Sequence, residues 1–251
     1  MGELVRHELA DGVATITLDS QHNRNALSSH LIRELAECLD EAEAADARAI
    51  VLRHEGPAFC AGADLKERSS ASGPPDSSPM VDVMRRLMDT GRPTIAAVDG
   101  AVRAGGIGLM ASCDLVVVDR SVTFALTEVR IGVAAAIISV PILRRVPPGK
   151  IAAAMLTGEV FDADEARSIG LVTHVSDDVA ATVAELCDGI RAGAPRAVRE
   201  TKHLLHRVPT LDRDAAFDEM RALSDELFAG PDAQEGMAAF KEKRRPTWPV
   251  G

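Results

Sequence analysis

The apolar positions of the chain switch repeatedly between a strand period and a helix period. Residues 5–9 and 13–18 alternate or run apolar on either side of Ala10-Asp11-Gly12, whose glycine suits a tight turn, and predict a β-hairpin. Ser28 or Ser29 then offers an N-cap to a helix in which Leu31, Ile32, Leu35, Ala36 and Leu39 recur at helical spacing. Residues 49–52 read as a short buried strand. The stretch 69–79, SSASGPPDSSP, has almost no apolar content and predicts a mobile surface loop. From Thr94 the alternation resumes with a strand at 95–98, a glycine-rich turn, a helix, and strands at 115–118 and 122–125. Strand and helix in alternation imply crossover connections and an α/β architecture. After Pro147-Pro148-Gly149 the pattern is mainly helical, over 150–156, 164–168, 179–192, 195–205, 212–228 and 232–243, with one further strand at 171–175. The last three helices form a C-terminal segment, 195–251, with no Gly/Ser linker separating it from a core at 1–194.

Composition narrows the functional classes. The 251 residues are 46% hydrophobic and 26% charged, enough for a substantial core and too apolar for disorder. Lys plus Arg total 28 against 38 for Asp plus Glu, a net charge of −10. Sequence-independent nucleic-acid binding draws its affinity from clustered cations, so no nucleic-acid partner is expected, and any anionic ligand must be held by a local arrangement. Cys38, Cys60, Cys113 and Cys187 are widely spaced, with no C-x-x-C and no secretory h-region, which fits the reducing cytoplasm rather than a disulfide framework. Apolar stretches such as 131–143 are too short for a bilayer-spanning helix and contain Gly132 and Pro141, so no membrane partner is expected. No H-x-x-x-H, H-E-x-x-H or G-x-S-x-G occurs, and His203 and His206 read as surface residues of a basic helix, so neither a metal nor a serine nucleophile is expected.

The candidate chemistry lies in two glycine-rich turns. The first is Phe59-Cys60-Ala61-Gly62-Ala63-Asp64-Leu65-Lys66, a strand exit into small residues that lets backbone N–H groups approach a ligand. The second runs from Asp99-Gly100 to Ala104-Gly105-Gly106-Ile107-Gly108 and opens a helix with its free N–H groups and dipole outward. Each alone reads as a turn that needs small residues for packing. As a pair they match what an oxyanion hole requires, two preorganised donors aimed at one oxygen.

The two turns, in their order and separation, resemble those of the crotonase superfamily, the enoyl-CoA hydratases and isomerases. The resemblance extends through Arg24-Asn25-Ala26-Leu27, Phe161-Asp162-Ala163, Gly170-Leu171-Val172 and the run from Gly236 to Arg244. It implies a β-β-α spiral of the ClpP/crotonase-like α/β class with a C-terminal helical segment that builds a homotrimer or hexamer. It also implies an acyl-CoA thioester as substrate, with coenzyme A belonging to the substrate and no separate cofactor. By the same resemblance Ala63 and Gly105 supply the oxyanion-hole N–H groups. Asp64, Leu65 and Lys66 continue the CoA-binding segment, Lys66 placing an ammonium near the nucleotide. Phe240 and Lys243 help close the CoA site, often across a subunit boundary, and read otherwise as a helix anchor and a solvated charge. Arg24 meets the nucleotide or is a surface arginine.

Hydratases of this family usually carry two glutamates twenty residues apart; here the register places them at Gly108 and Glu128, so one is kept and the other is glycine. Glu128 is thereby implied as the acid/base, its alternative being a strand-end partner of Arg130. A single base suits a 1,3 proton shift from a 3-enoyl to a 2-enoyl thioester. The run from Leu126 to Ser139 instead resembles methylglutaconyl-CoA type hydratases, which also tend to carry a small residue at the first glutamate position, and favours addition of water to a 2-enoyl thioester. Ala134-Ala135-Ala136 departs from the proline-containing segment common to both groups. Non-catalytic acyl-CoA binding is a third reading.

Overall fold

The apolar runs become the strands of two sheets in a computed structural model that describes residues 3–70 and 76–248. The strands are β1 (Val5–Ala10), β2 (Val13–Leu18), β3 (Ala49–His54), β4 (Ala58–Cys60), β5 (Thr94–Val98), β6 (Ala101–Arg103), β7 (Leu115–Asp119), β8 (Thr123–Ala125), β9 (Val160–Asp162) and β10 (His174–Ser176). The α-helices are α1 (Ser29–Ala44), α2 (Leu65–Ser70), α3 (Ser78–Asp89), α4 (Gly105–Ala111), α5 (Ala136–Arg145), α6 (Pro148–Thr157), α7 (Ala163–Ile169), α8 (Val179–Ala192), α9 (Pro195–Arg207), α10 (Arg213–Ala229) and α11 (Pro231–Glu242).

The larger sheet has the order β1-β2-β3-β5-β7-β10 and the smaller one β4-β6-β8-β9. β1 and β2 form the expected antiparallel hairpin, and from β2 onward the larger sheet is parallel. Each of β3, β5 and β7 is followed by a short strand, β4, β6 or β8, that crosses to the smaller sheet before the chain enters a helix. This repeated β-β-α unit is the spiral that the resemblance implied. β3 and β5 are buried almost throughout, which is why they read as unbroken apolar runs rather than alternating ones. α1 buries Leu31, Ile32, Leu35, Cys38, Leu39 and Ala42 on one face, and Ser28 caps it by accepting the Leu31 N–H at 3.2 Å. Among the described residues no helix is long and apolar enough to cross a membrane.

Several expectations are corrected. The polar stretch 69–79 is not one loop: α2 runs through Ser70 and α3 begins at Ser78, while 71–75 lie outside the described residues. Pro79 sits in the first turn of α3, where its missing N–H has no helical partner to lose. The strand expected at 171–175 is His174–Ser176, because the Leu171 and Val172 N–H groups turn back to Ala166 O at 3.0 and 3.2 Å. Val122 belongs to the turn before β8, its N–H donating to Asp119 O at 3.1 Å.

Candidate active site

β4 and β6 pair in parallel, so the turns that follow them leave the smaller sheet side by side. After β4, Gly62 adopts φ +92°, a left-handed backbone that residues with a Cβ rarely take. A methyl group on Gly62 would lie 2.9 Å from Ala104 Cβ and 3.4 Å from the Gly105 nitrogen. After β6, Ala104 takes φ 47° and ψ −117°, a sparsely populated conformation of the kind that collects at functional sites. Its N–H is tied to Ala125 O at 2.9 Å, and the bend lets α4 start at Gly105. A methyl on Gly105 would lie 3.7 Å from the Ala63 nitrogen, so the two turns meet at these residues. Neither the Ala63 nor the Gly105 N–H donates to a backbone acceptor outside regular secondary structure among the described residues. As the first residue of a helix, Gly105 also lacks an intrahelical acceptor.

The same Gly105 methyl position lies 2.9 Å from Leu27 Cδ1 and 3.2 Å from Met80 Cε, and both side chains line a cavity of about 960 Å³ between α1 and the α2–α3 region. Leu27, Ile32, Ala36, Met80 and Val83 give the cavity an apolar wall, with Arg33, Arg68, Arg85 and Arg86 at its polar edge. Met80 and Val83 escaped the sequence reading because the polar run 69–79 hid the start of α3. Pro79 followed by Met80, Val83, Met84 and Leu87 at helical spacing was the signal that could have found them.

β8 pairs in parallel with β6, and beyond it Glu128 opens a 3-10 turn, Glu128–Ile131. Its carboxyl is half-buried, and Oε2 has no hydrogen-bond partner among the described residues. Burial pushes the carboxyl above the ordinary glutamate range, a shift only partly offset by a hydrogen bond to its own backbone. Arg130 does not pair with it; its Nε donates to Thr157 O at 2.9 Å. At Gly108, where the register puts the first glutamate, a methyl group would lie 2.3 Å from Ile138 Cγ2, 2.5 Å from Ile138 Cβ and 2.9 Å from Met84 Cε. Ile138, on α5, is 3% exposed. Position 108 is therefore a surface on which α5 rests, with no space for a carboxylate.

The remaining predicted residues divide by location. Asp64 caps α2, its Oδ1 accepting the Lys66 and Glu67 N–H groups at 3.0 and 3.1 Å and its Oδ2 accepting from Asn23 Nδ2 at 3.2 Å. These bonds, that from Glu67 foremost, hold its carboxyl below the ordinary aspartate range. Leu65 and Lys66 are exposed in the first turn of α2. Arg24 is exposed in the left-handed region at φ 58°, and its carbonyl accepts the Ala61 N–H at 3.0 Å, steadying the first turn through its backbone. Phe240, 85% exposed on α11, and Lys243 at the end of that helix do not line the cavity. Cys60 is packed beneath the second turn, 2.6 Å from a methyl position on Gly106, and burial pushes its thiol up to about 12. No cluster of three or more metal-ligating side chains occurs among the described residues.

Comparison with known proteins gives one family. The family profile described as Enoyl-CoA hydratase/isomerase matches residues 8–250. The mouse mitochondrial protein named Enoyl-CoA hydratase domain-containing protein 3 is 34% identical over 247 residues, covering 95% of this chain and 82% of its own. Enoyl-CoA hydratase EchA19 of Mycobacterium tuberculosis is 31% identical, with 93% and 91% covered. The crystal structure of an enoyl-CoA hydratase from Mycobacterium smegmatis superposes with a TM-score of 0.91 at 32% identity, covering 98% of this chain and 99% of that one.

Proposed function

The chain belongs to the enoyl-CoA hydratase/isomerase family of the crotonase superfamily, and from that membership we propose that it adds water to a 2-enoyl-CoA thioester with Glu128 as its one acid/base. The thioester oxygen lies between the N–H groups of Ala63 and Gly105. These donors are fixed in the backbone before charge develops, so they stabilise the enolate without reorganising. Glu128 takes a proton from the water that attacks C3 and delivers a proton to C2. A carboxyl made more basic by burial suits both halves of that exchange, since it accepts the proton readily and leaves the carboxylate the costlier form. The single observation that carries the reading is the buried, unpartnered Oε2 of Glu128, one strand away from two adjoining backbone donors.

One feature favours a second reading. Ile138 covers Gly108, so the face that carries a second glutamate in two-carboxylate hydratases is apolar here. With water excluded from that face, Glu128 takes a C2 proton from a 3-enoyl thioester and returns it to C4 of the resulting dienolate, which makes the chain a Δ3,Δ2-enoyl-CoA isomerase.

Lys66 and Arg24, exposed cations near the first turn, are assigned to the nucleotide end of coenzyme A, with Asp64 and Leu65 shaping the segment between. Residues 195–251 are assigned as the trimerisation segment. Phe217, Phe228 and Phe240 are 71%, 67% and 85% exposed in the single chain, apolar area that a symmetric contact removes from water. In such a trimer or hexamer Phe240 and Lys243 reach the neighbouring CoA site.

The test incubates the purified protein with crotonyl-CoA, 3-methylglutaconyl-CoA and 3-hexenoyl-CoA, following product mass and enoyl-thioester absorbance, alongside Glu128→Gln. A water adduct that disappears in the variant supports hydration. A 2-hexenoyl product without mass change supports the isomerase. Coenzyme A binding without turnover of any of the three refutes both.

A further inference from the structure

Lys202 lies on α9, between Arg199, Glu200 and His203 in sequence, yet it is only 4% exposed. Its Nζ donates to Leu87 O at 3.0 Å and to Arg92 O at 2.9 Å, and stands 2.9 Å from Asp114 Oδ2. A buried ammonium persists only where it is paired and hydrogen-bonded, and all three of these contacts come from outside its own helix. Asp114 is equally committed. Its Oδ2 accepts the Thr94 N–H at 2.8 Å and the Thr94 hydroxyl at 3.0 Å, and its Oδ1 faces His206 Nε2 at 3.3 Å.

The points of attachment are the C-terminal ends of two helices. Leu87 is in the last turn of α3, which carries Met80 against Gly105 and Met84 against Gly108. Asp114 follows the end of α4, which begins with the Gly105 N–H. Gly105, Gly106 and Gly108 leave three of the first four positions of α4 without a side chain, so its N-terminal end packs directly against Leu27, Cys60 and Ile138. Its C-terminal end is held separately, by side chains that reach in from α5 and α9. Arg145 donates to Ala111 O at 3.3 Å, to Cys113 O, and to Asp114 O at 3.3 Å, while Lys202 holds the Asp114 side chain. Seven helical residues make a hydrogen-bonded rod about 10 Å long, so a shift at Asp114 is carried to Gly105.

We infer that Lys202 is a positioning residue for the reaction: through Asp114 and Leu87 it sets the Gly105 N–H and the Met80 wall in register with the thioester. The inference rests on the oxyanion-hole reading of Ala63 and Gly105. It gives the C-terminal segment a part in catalysis in addition to any part in subunit contacts.

The experiment compares the full-length wild type with Lys202→Met and Asp114→Asn. The probe is butyryl-CoA labelled with carbon-13 at the carbonyl, a saturated thioester that has no double bond to hydrate or move, and turnover is followed with crotonyl-CoA. The wild type is expected to lower the infrared carbonyl stretch of the bound thioester. Both variants, folded by circular dichroism, are expected to return the stretch toward that of the free thioester. They lose about 100-fold in kcat, the scale of an ångström-sized misplacement, while KM stays within about twofold because the grip on coenzyme A is made elsewhere. A variant that folds, keeps the lowered stretch and the wild-type kcat, and loses only thermal stability overturns the inference. Failure of both variants to fold overturns it too, since the pair would then hold the chain together rather than tune α4. If the wild type itself leaves the stretch unshifted, the oxyanion-hole reading fails, and that failure is visible before any variant is made.

Discussion

Gly108→Ala tests whether α5 depends on a bare backbone at that position. The added methyl would lie 2.3 Å from Ile138 Cγ2 and 2.5 Å from Ile138 Cβ. Ordinary carbon contacts are about 3.5 to 4.0 Å, so α4 and α5 must separate by roughly an ångström or more. The clash includes Cβ, which cannot swing away as the end of a long side chain can. Overpacking against an atom that cannot swing away falls in the upper part of the usual range, about 2 to 3 kcal/mol, against a gain of about 1 kcal/mol from replacing glycine by alanine inside a helix. A net loss of about 1 to 2 kcal/mol lowers the melting temperature of a chain this size by roughly 2 to 8 °C. Urea unfolding followed by circular dichroism measures it. Ile138→Ala alone opens a cavity and costs about 2 to 5 kcal/mol. In the double variant the new methyl faces a smaller neighbour, so the two losses add to less than their sum by about 1 kcal/mol. A Gly108→Ala protein as stable as the wild type, or a double variant that is strictly additive, refutes the packing argument. The position would then be open to a carboxylate after all.

Burial raises the Glu128 carboxyl above 4.5, so its stabilising contribution is full below the unfolded value and is lost as pH rises through the native one. Glu128→Gln is therefore expected to be inactive yet at least as stable as the wild type at neutral pH, with the difference closing as pH falls below 4.5; a variant less stable at neutral pH would contradict this. The same raised value places the acid limb of kcat/KM above the ordinary glutamate range, since the base must be ionised to accept a proton; activity undiminished down to pH 4.5 counts against Glu128 as that base. Cys60 and Cys113 are fully buried with thiols pushed up to about 12. Neither should be alkylated by iodoacetamide in the native protein at about pH 8, where reaction follows the thiolate, while both label in urea. Labelling of native Cys60 at the rate of a free thiol would contradict that burial.

What the sequence made legible was local. The hairpin and α1 follow from periodicity and a serine cap, and the two turns stand out as runs of small residues, whereas Glu128 was singled out only by the register that the family resemblance implied. The long-range contacts were illegible. Nothing in the chain announces that Ile138 rests on Gly108, since only the fold brings α5 across α4. β4, β6 and β9 have three residues each, too few to show a period. α5 was hidden by Pro141, which lies inside the helix where a proline usually marks a break. Lys202 sits in a run of polar residues that reads as a solvated face, and its burial appears only once the ends of α3 and α4 converge on it.

The smaller sheet also ties the two turns to contacts that are distant in the chain. Each of its strands has three residues, and a strand that short has no stability before its partners arrive. Those partners are distant: Ala58 pairs with Ala101, and Val102 with Phe124. Closing such loops costs entropy before any contact offsets it. The hairpin β1–β2, by contrast, is joined by a two-residue turn and needs no distant partner to begin. The parallel pairs of the larger sheet are as distant, Ile50 with Thr94 and Val117 with His174, so the two glycine-rich turns are brought together only by contacts that span much of the chain.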